Sequence, residues 1–372
     1  MKKIKVLHLI KSLGRGGAEM LLPETLKLHR TDKFEFHYIY FLPWKDQMVE
    51  PINALGGKVF CIAASNNLKI LGEYKKVIEY CEENEINLIH CHLPWSGFLG
   101  RLIHKQSEIP VIYSEHNIQE RYHIATKFLN KLTFNSQSMA IGVSQDVTNS
   151  IIKNIAPEIP VKTILNGVNT SKFQRKSDLG KEIRLQYKIP ENSWVIGNIA
   201  VFRKQKALAN WIYAFKEIQN VTPDVFGLLV GAGPQETELK ELVKNLKLEE
   251  KIIFPGLQTN TIPYFSAMDV FMMSSEFEGL PVALLEAMSM SCAIVSTKAG
   301  GVVEAVRHEE DGFLCEVGDI KGLGDYSKNL ILNPSELLKF QKAARKRAVD
   351  SFSMEAMVHK LEDSYSELMN QR

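Results

Sequence analysis

The stretch Asp269–Ser296, DVFMMSSEFEGLPVALLEAMSMSCAIVS, decides how the rest of the chain is read. It opens on a short apolar run, Val270 to Met273, and turns at Ser274-Ser275-Glu276. Glu278-Gly279-Leu280-Pro281 then precede a helix-forming run, Val282 to Met290. The pattern predicts strand, loop, helix, strand. Pro281 suits the first helical position, where a missing N–H costs nothing and the fixed φ is already helical. The N–H groups of Val282, Ala283 and Leu284 would then point out of the helix start with the positive end of the dipole behind them, a ready phosphate site. Glu278 just before the helix and Glu286 a turn and a half inside it can accept hydrogen bonds from sugar hydroxyls on either side of that phosphate. The plainer reading gives Glu278 a dipole contribution alone and makes Leu284, Leu285 and Met288 simple core.

Composition frames this reading. A chain of 372 residues, 45% hydrophobic, is long for one core and comfortable for two domains, which implies a cleft. Lys and Arg number 45 against 43 Asp and Glu, so the total gives no argument for nucleic acid. The five cysteines, Cys61, Cys81, Cys91, Cys292 and Cys315, form no C-x-x-C pair and fall mostly in apolar segments, as expected of reduced core residues in a cytoplasmic protein. MKKIKVLHLIKSLGRGGAE reads as a first strand and not as a signal peptide. No run approaches 18 apolar residues, so no membrane span is expected, although the protein could lie on a membrane.

Taken in order, Lys5 to Ile10 is a β-type run, and Leu13-Gly14-Arg15-Gly16-Gly17-Ala18-Glu19 leads into a helical pattern from Met20 to His29. Gly16 and Gly17 allow a phosphate or a sugar to approach the backbone, or simply make a tight connection. Strand and helix patterns then alternate as far as Tyr113, which predicts a parallel sheet with helices on both faces and ligands at the carboxyl ends of its strands. Two histidine groups fall at such ends, His90-Cys91-His92 and Ser114-Glu115-His116-Asn117. A His-x-His pair invites a metal reading, but no third ligand is evident nearby, and core histidines are expected. From Glu120 to Asn135 a helical segment sets Arg121, Lys127 and Lys131 beside Tyr122, Phe128, Leu129 and Leu132. It reads as a solvated helix with a buried apolar stripe, with a membrane-surface face as the alternative.

The polar run Gln174 to Lys181 is expected to be the interdomain linker. The second half restarts with a strand from Val195 to Ala200 and the cluster Arg203-Lys204-Gln205-Lys206, a candidate diphosphate clamp. At an effective dielectric near 20, a close charge pair there is worth about 4 kcal/mol before desolvation. A solvated loop is the alternative. Gly231-Ala232-Gly233-Pro234 follows the next strand, a pattern that generic tight turns share.

EGLPVALLEAM, Glu278 to Met288, closely resembles the nucleotide-sugar motif of retaining glycosyltransferases of family 4, the glycosyl transferases group 1. Gly16-Gly17-Ala18-Glu19, Ser114-Glu115-His116-Asn117, Asn166-Gly167-Val168-Asn169 and Thr297-Lys298-Ala299-Gly300-Gly301 fall in the family's order. The resemblance implies the GT-B fold, two doubly wound Rossmann-like α/β domains facing across a cleft. Residues 1–168 would form the acceptor domain and 169–350 the nucleotide-sugar domain, with 351–372 a final helix crossing back to the first. It also implies retaining transfer of a sugar from a nucleoside-diphosphate sugar, a UDP-sugar being favoured, to a carbohydrate or lipid-linked acceptor in bacterial cell-surface polysaccharide synthesis. Peripheral contact with the inner face of the plasma membrane would accompany such an acceptor.

On that reading His116 hydrogen-bonds a hydroxyl of the transferred sugar, and Glu278 binds other hydroxyls of the same sugar. Glu286 binds the ribose. Lys206, Arg203, the Val282–Leu284 amides and the glycines Gly16, Gly17 and Gly233 stabilise or accommodate the diphosphate. One departure stands out: Val201 occupies the place of the family's usual arginine, and Arg203 is its expected substitute. No D-x-D occurs in the chain, so metal-independent transfer is expected. Three rival classes are a 2-epimerase-type isomerase of the same fold, a glycan-binding relative without chemistry, and a dehydrogenase. Gly14, Gly16 and Gly17 have the wrong spacing for the last.

Overall fold

The computed structural model describes residues 3–370. The chain divides into two compact units: one runs to Asn166 and includes the segment from Met354 on, and the other is Gly167–Ser353. The divisions fall at 166/167 and 353/354, where the sequence reading set 168/169 and 350/351.

The first unit is built on seven parallel strands: β1 Ile4–Ile10, β2 Phe34–Tyr40, β3 Lys58–Cys61, β4 Leu88–His92, β5 Val111–Glu115, β6 Met139–Gly142 and β7 Val161–Thr163. Their order is β3-β2-β1-β4-β5-β6-β7, so the winding reverses between β1 and β4. These strands are short, mostly buried runs, as parallel strands covered on both faces must be. One core packs Leu7, Leu9, Ile39, Ile89, Val111 and Ala140 of the strands against Leu99, Ile103 and Val147 of the helices. The final helix, Met354–Asn370, belongs to this unit. Glu362 accepts from His29 Nδ1 at 3.1 Å, from the Arg30 amide at 2.8 Å and from the Arg30 guanidinium. Tyr365 Oη lies 2.8 Å from His90 Nδ1.

The second unit has six parallel strands: β8 Trp194–Ile199, β9 Val225–Val230, β10 Ile252–Gly256, β11 Val270–Met273, β12 Ala293–Thr297 and β13 Phe313–Cys315. The order is β10-β9-β8-β11-β12-β13, which reverses between β8 and β11. Trp211, fully buried, stacks on Phe215 and donates its indole N–H to Met272 O at 3.0 Å, and Asn198 Nδ2 reaches the same carbonyl at 2.7 Å. In open α/β sheets ligands collect outside the carboxyl ends of the strands that flank such a reversal.

The expected linker is not one. Within Gln174 to Lys181, Arg175 donates to four main-chain carbonyls of the second unit: Met290 at 3.1 Å, Ser266 at 3.0 Å, Met268 at 2.5 Å and Ser291 at 3.0 Å. The helix Ser177–Gln186 starts inside the same run. A Cβ on Gly180 would lie 2.6 Å from Ser266 O, so this helix packs backbone to backbone. A polar run can be fixed in place when its charges have carbonyls to bind, and composition does not reveal those partners.

Candidate active site

Two loops leave β8 and β11 at the reversal of the second sheet, and hydrogen bonds tie them together. Ser274 Oγ donates to Lys206 O and Ala207 O, both at 3.0 Å, and the Glu276 amide donates to Gln205 O at 2.8 Å. Ala207 adopts the left-handed conformation, φ 45°, ending the single turn Lys204–Lys206 and starting the helix Leu208–Val221. That turn brings Lys206 Nζ to 2.5 Å from Glu278 Oε1, which also accepts from Ser275 Oγ at 2.6 Å. Glu278 is 7% exposed. The glycine turn after β12 closes the site from a third side. The Gly301 amide reaches Glu278 O at 3.4 Å, and Thr297 Oγ1 donates to Ser275 O at 2.6 Å.

The helix Val282–Ser289 follows directly. Pro281 is its cap in extended geometry, φ −73° and ψ 119°, one position earlier than predicted. Its carbonyl then accepts from Leu284 at 3.1 Å and from Leu285 at 3.3 Å. The expected trio of outward amides is therefore a pair, Val282 and Ala283. Glu286 lies inside the helix and is buried. Arg203 is exposed, and among the described residues its guanidinium has no partner.

Gly233 plays a structural part. A Cβ there would lie 2.6 Å from Phe202 N and O, and the Phe202 and Gln235 amides bond across the same contact to Ala232 O and Phe202 O. Gly231, φ 132°, would put a Cβ 1.9 Å from Ala200 O. Both glycines let the turn after β9 press against the loop after β8 and so hold the Arg203–Lys206 loop in place.

In the first unit Gly16 caps the helix Gly17–Leu26. Glu19 folds back over it: a Cβ on Gly16 would lie 2.2 Å from Glu19 Oε2, and Ser12 Oγ donates to Glu19 Oε1 at 3.2 Å. A carboxylate at that helix start repels a phosphate and favours a hydroxyl donor.

His116 follows β5, and its position rests on its neighbour Glu115, a residue that no sequence signal marks. Glu115 is fully buried and accepts five hydrogen bonds. The donors are Tyr113 Oη at 2.8 Å, the His116 and Asn117 amides at 3.0 and 3.2 Å, Gln119 Nε2 at 2.7 Å and Tyr122 Oη at 2.5 Å. Burial pushes its carboxyl above the usual range against the pull of those donors. Burial likewise holds the His116 imidazole down at about 4, so it is neutral near pH 7.

Beside His116 lies a cavity of about 40 Å³ whose polar lining includes His8, His90, His92 and Ser114. The sequence reading found no third ligand for His90 and His92; the structure supplies one. His8, in the middle of β1, offers a ring nitrogen within 4.8 Å of theirs. The pairings are those of a neutral hydrogen-bonded network. His8 Nδ1 lies 2.8 Å from His92 Nε2, and His90 uses both nitrogens, on Tyr365 Oη and on Ser114 Oγ at 2.8 Å. Desolvation pushes His90 down to about 3 and holds His8 and His92 well below the ordinary value. His8 Nε2, His92 Nδ1 and His116 Nε2 remain buried without a partner among the described residues.

Residues 15–172 match the model of Glycosyltransferase Family 4 and residues 180–347 that of Glycosyl transferases group 1. The chain belongs to the group 1, family 4 glycosyltransferases. This glycosyltransferase is 26% identical over 300 residues to an N-acetyl-alpha-D-glucosaminyl L-malate synthase of Bacillus anthracis, covering 79% of this chain and 78% of that one. It is 23% identical to a UDP-Gal:alpha-D-GlcNAc-diphosphoundecaprenol alpha-1,3-galactosyltransferase of Escherichia coli, over 99% of this chain and 98% of that one. The structure of Anabaena Alr3699/HepE in complex with UDP and glucose superposes with a TM-score of 0.89 at 22% identity, covering 98% of this chain and 100% of that one. The glycosyltransferase thus has the GT-B fold, and its relatives include bacterial enzymes of polysaccharide and lipid-linked glycan synthesis.

Proposed function

We propose that the protein transfers a sugar, with retention and without a metal ion, from a nucleoside-diphosphate sugar to a glycan or lipid-linked acceptor. The Lys206–Glu278 pair beside the start of the helix Val282–Ser289 carries this reading. Breaking the bond from anomeric carbon to diphosphate leaves negative charge on phosphate and positive charge on the ring. Lys206, the Val282 and Ala283 amides and the exposed Arg203, standing in for the arginine absent at Val201, stabilise the former. Glu278 holds hydroxyls of the donor sugar and Glu286 those of the ribose. His116, neutral and with Nε2 uncommitted, suits hydrogen bonding to a hydroxyl and not nucleophilic attack.

With no general base assigned, front-side attack fits, in which the departing phosphate takes the acceptor's proton. A UDP-sugar is favoured as donor: the E. coli relative is named for UDP-Gal, and the Anabaena protein has been solved with UDP-glucose. The same E. coli name supports a diphospholipid-linked acceptor.

Thermal shift and nucleotide release with UDP-, GDP- and ADP-sugars, wild type beside Lys206→Ala and Glu286→Ala, test the donor. One nucleotide stabilising the wild type and neither variant is the expected result. Conversion of the donor to an isomer with no acceptor present would replace transfer by epimerisation, and no binding at millimolar donor would leave a glycan-binding relative. NMR of the product's anomeric centre tests retention. Activity lost in chelator and restored by magnesium or manganese would overturn metal independence.

A further inference from the structure

Three buried ring nitrogens of the first unit, His8 Nε2, His92 Nδ1 and His116 Nε2, have hydrogen-bonding capacity that the described residues do not use. All three residues line the cavity of about 40 Å³ beside His116. A buried polar atom without a partner is costly, so three of them around one cavity point to a polar occupant. A metal ion fits poorly. It would need bare nitrogens from His8, His90 and His92 together, yet His8 and His92 share one proton across 2.8 Å, and both nitrogens of His90 are engaged by Tyr365 and Ser114. A water fits, since it needs about 10–15 Å³ and a few polar partners. The rings of His92 and His116, with centroids 5.8 Å apart, make no direct hydrogen bond and leave a gap of the kind that a water bridges.

The contact between His8 and His92 constrains the protons. Burial keeps both rings and His116 neutral, so each carries a single N–H. If His8 Nδ1 donates to His92 Nε2, the proton of His92 must sit on Nδ1. If His92 Nε2 donates instead, His92 Nδ1 is bare and the proton of His8 must sit on Nε2. A water at His92 Nδ1 passes the direction on: accepting from one ring and donating to the other makes a chain whose bonds polarise and strengthen one another. We propose that a water in the cavity joins His92 Nδ1 to His116 Nε2 and so holds His8, His92 and His116 in one common tautomer, all protonated on Nδ1 or all on Nε2. Two waters in series would transmit the same direction. His8 and His92 are then positioning residues for His116. They decide whether its other nitrogen, Nδ1, meets a sugar hydroxyl as a donor or as an acceptor. That role rests on the transfer reaction proposed above, whereas the shared tautomer does not.

The test is long-range proton–nitrogen NMR of the full chain labelled with ¹⁵N-histidine, which separates N–H from bare ring nitrogens, with signals assigned from His→Gln variants. Wild type should show the three rings in one tautomer, and His116 should become a mixture of both in His92→Phe. Turnover should fall about 10-fold in His92→Phe, the low end for losing a partner that orients a functional histidine. His92→Gln, which keeps a donor and an acceptor, should restore most of it. The thermal shift given by the nucleoside diphosphate alone should not change, since its contacts are assigned to the second unit. Different tautomers among the three rings of wild type would overturn the proposal, and that spectrum decides even if a variant fails to fold. So would a folded His92→Phe that turns over as fast as wild type, or stoichiometric zinc that His92→Phe abolishes. A wild type inert toward every nucleoside-diphosphate sugar, with the rings in one tautomer, would remove the transfer reaction and leave the ladder of histidines standing.

Discussion

Lys206 Nζ and Glu278 Oε1 stand 2.5 Å apart in the second unit, each on a loop that leaves a strand flanking the reversal of the sheet. The pair spans 72 residues of sequence and fixes a cation beside a helix start. Glu278 is also the acceptor for Ser275, so Lys206 is held on one side only by a group with two donors. Lys206→Met should lower turnover by about 10²- to 10³-fold, the range for losing one preorganised electrostatic group. It should also lower the melting temperature, because it leaves a buried carboxylate with a single hydroxyl. A double-mutant cycle with Glu278→Gln measures the coupling, and additive losses would show that the pair acts as two separate groups.

The histidines around the first-unit cavity make stability fall in mild acid. Burial holds His90 down at about 3 and His116 at about 4, whereas an unfolded histidine titrates near 6.5. Above about pH 6.5 both states are neutral there and nothing is lost. Below it the unfolded chain takes up protons that the folded chain refuses, so stability drops by about 1.4 kcal/mol per pH unit per imidazole until the folded value is reached. Denaturant midpoints should fall between pH 7 and pH 5, and His90→Gln should make that fall shallower by one proton. A flat profile would mean that the cavity admits enough water to charge these rings.

Glu115 organises the turn that presents His116. Glu115→Gln replaces an acceptor-only group with one that carries an N–H₂, which then faces donors that it cannot satisfy. The expected result is a loss of about 1–3 kcal/mol in unfolding free energy. Turnover should fall while the thermal shift given by the nucleoside diphosphate alone is unchanged, since the diphosphate and ribose contacts are assigned to the second unit. Equal losses in both readouts would remove Glu115 as a positioning residue.

Gly233→Ala tests whether that glycine serves packing or ligand. With Phe202 backbone atoms 2.6 Å from the new methyl, the turn after β9 must shift. Unfolding free energy should drop by about 1–3 kcal/mol in the absence of any nucleotide, as overpacking does. A variant as stable as wild type that no longer binds donor would restore the ligand role.

Glu362 adds a second loss of stability in acid, at lower pH than the histidines. Burial alone would raise its carboxyl, but hydrogen bonds from His29 and from the Arg30 amide and guanidinium hold it at about 2. The ionised contact is fully present above the unfolded carboxyl value, near 4.3, and is lost as pH falls through about 2. Glu362→Gln should speed hydrogen exchange along the helix Met354–Asn370 at neutral pH, and this excess over wild type should shrink in strong acid.

Much of the architecture was legible because parallel strands are short apolar runs punctuated by turns. The apolar run Val270–Met273 is a strand with those same bounds. What escaped were partnerships over long separations. His8 sits inside the apolar run of β1, and no local pattern marks it as the neighbour of His92, 84 residues on. The Gln174 to Lys181 run has a linker's composition because composition cannot show that Arg175 has four carbonyls waiting. The buried apolar stripe expected between Glu120 and Asn135 is absent for a related reason. In the helix Ile124–Thr133 the residues Ile124, Phe128 and Leu132 are exposed, while Asn130 and Thr133 accept from the buried Arg101. Hydrophobic periodicity assumes an apolar neighbour, and here the neighbour is a buried guanidinium. At the candidate site charge and helix signals left Glu278, Lys206 and the helix start open to a plain structural reading until the family resemblance singled them out, whereas Glu115 was overshadowed by the histidine that it holds.

The hydrogen bond from His90 to Tyr365 and the bonds of His29 and Arg30 to Glu362 have a consequence for synthesis on the ribosome. The amino-terminal sheet emerges early, yet the residues that satisfy two of its buried imidazoles lie about 275 and 333 positions downstream. A nascent first unit must therefore wait, with His29 and His90 open to water, while the whole of Gly167–Ser353 is translated and folds. The half of the enzyme that is made first is the half that is finished last.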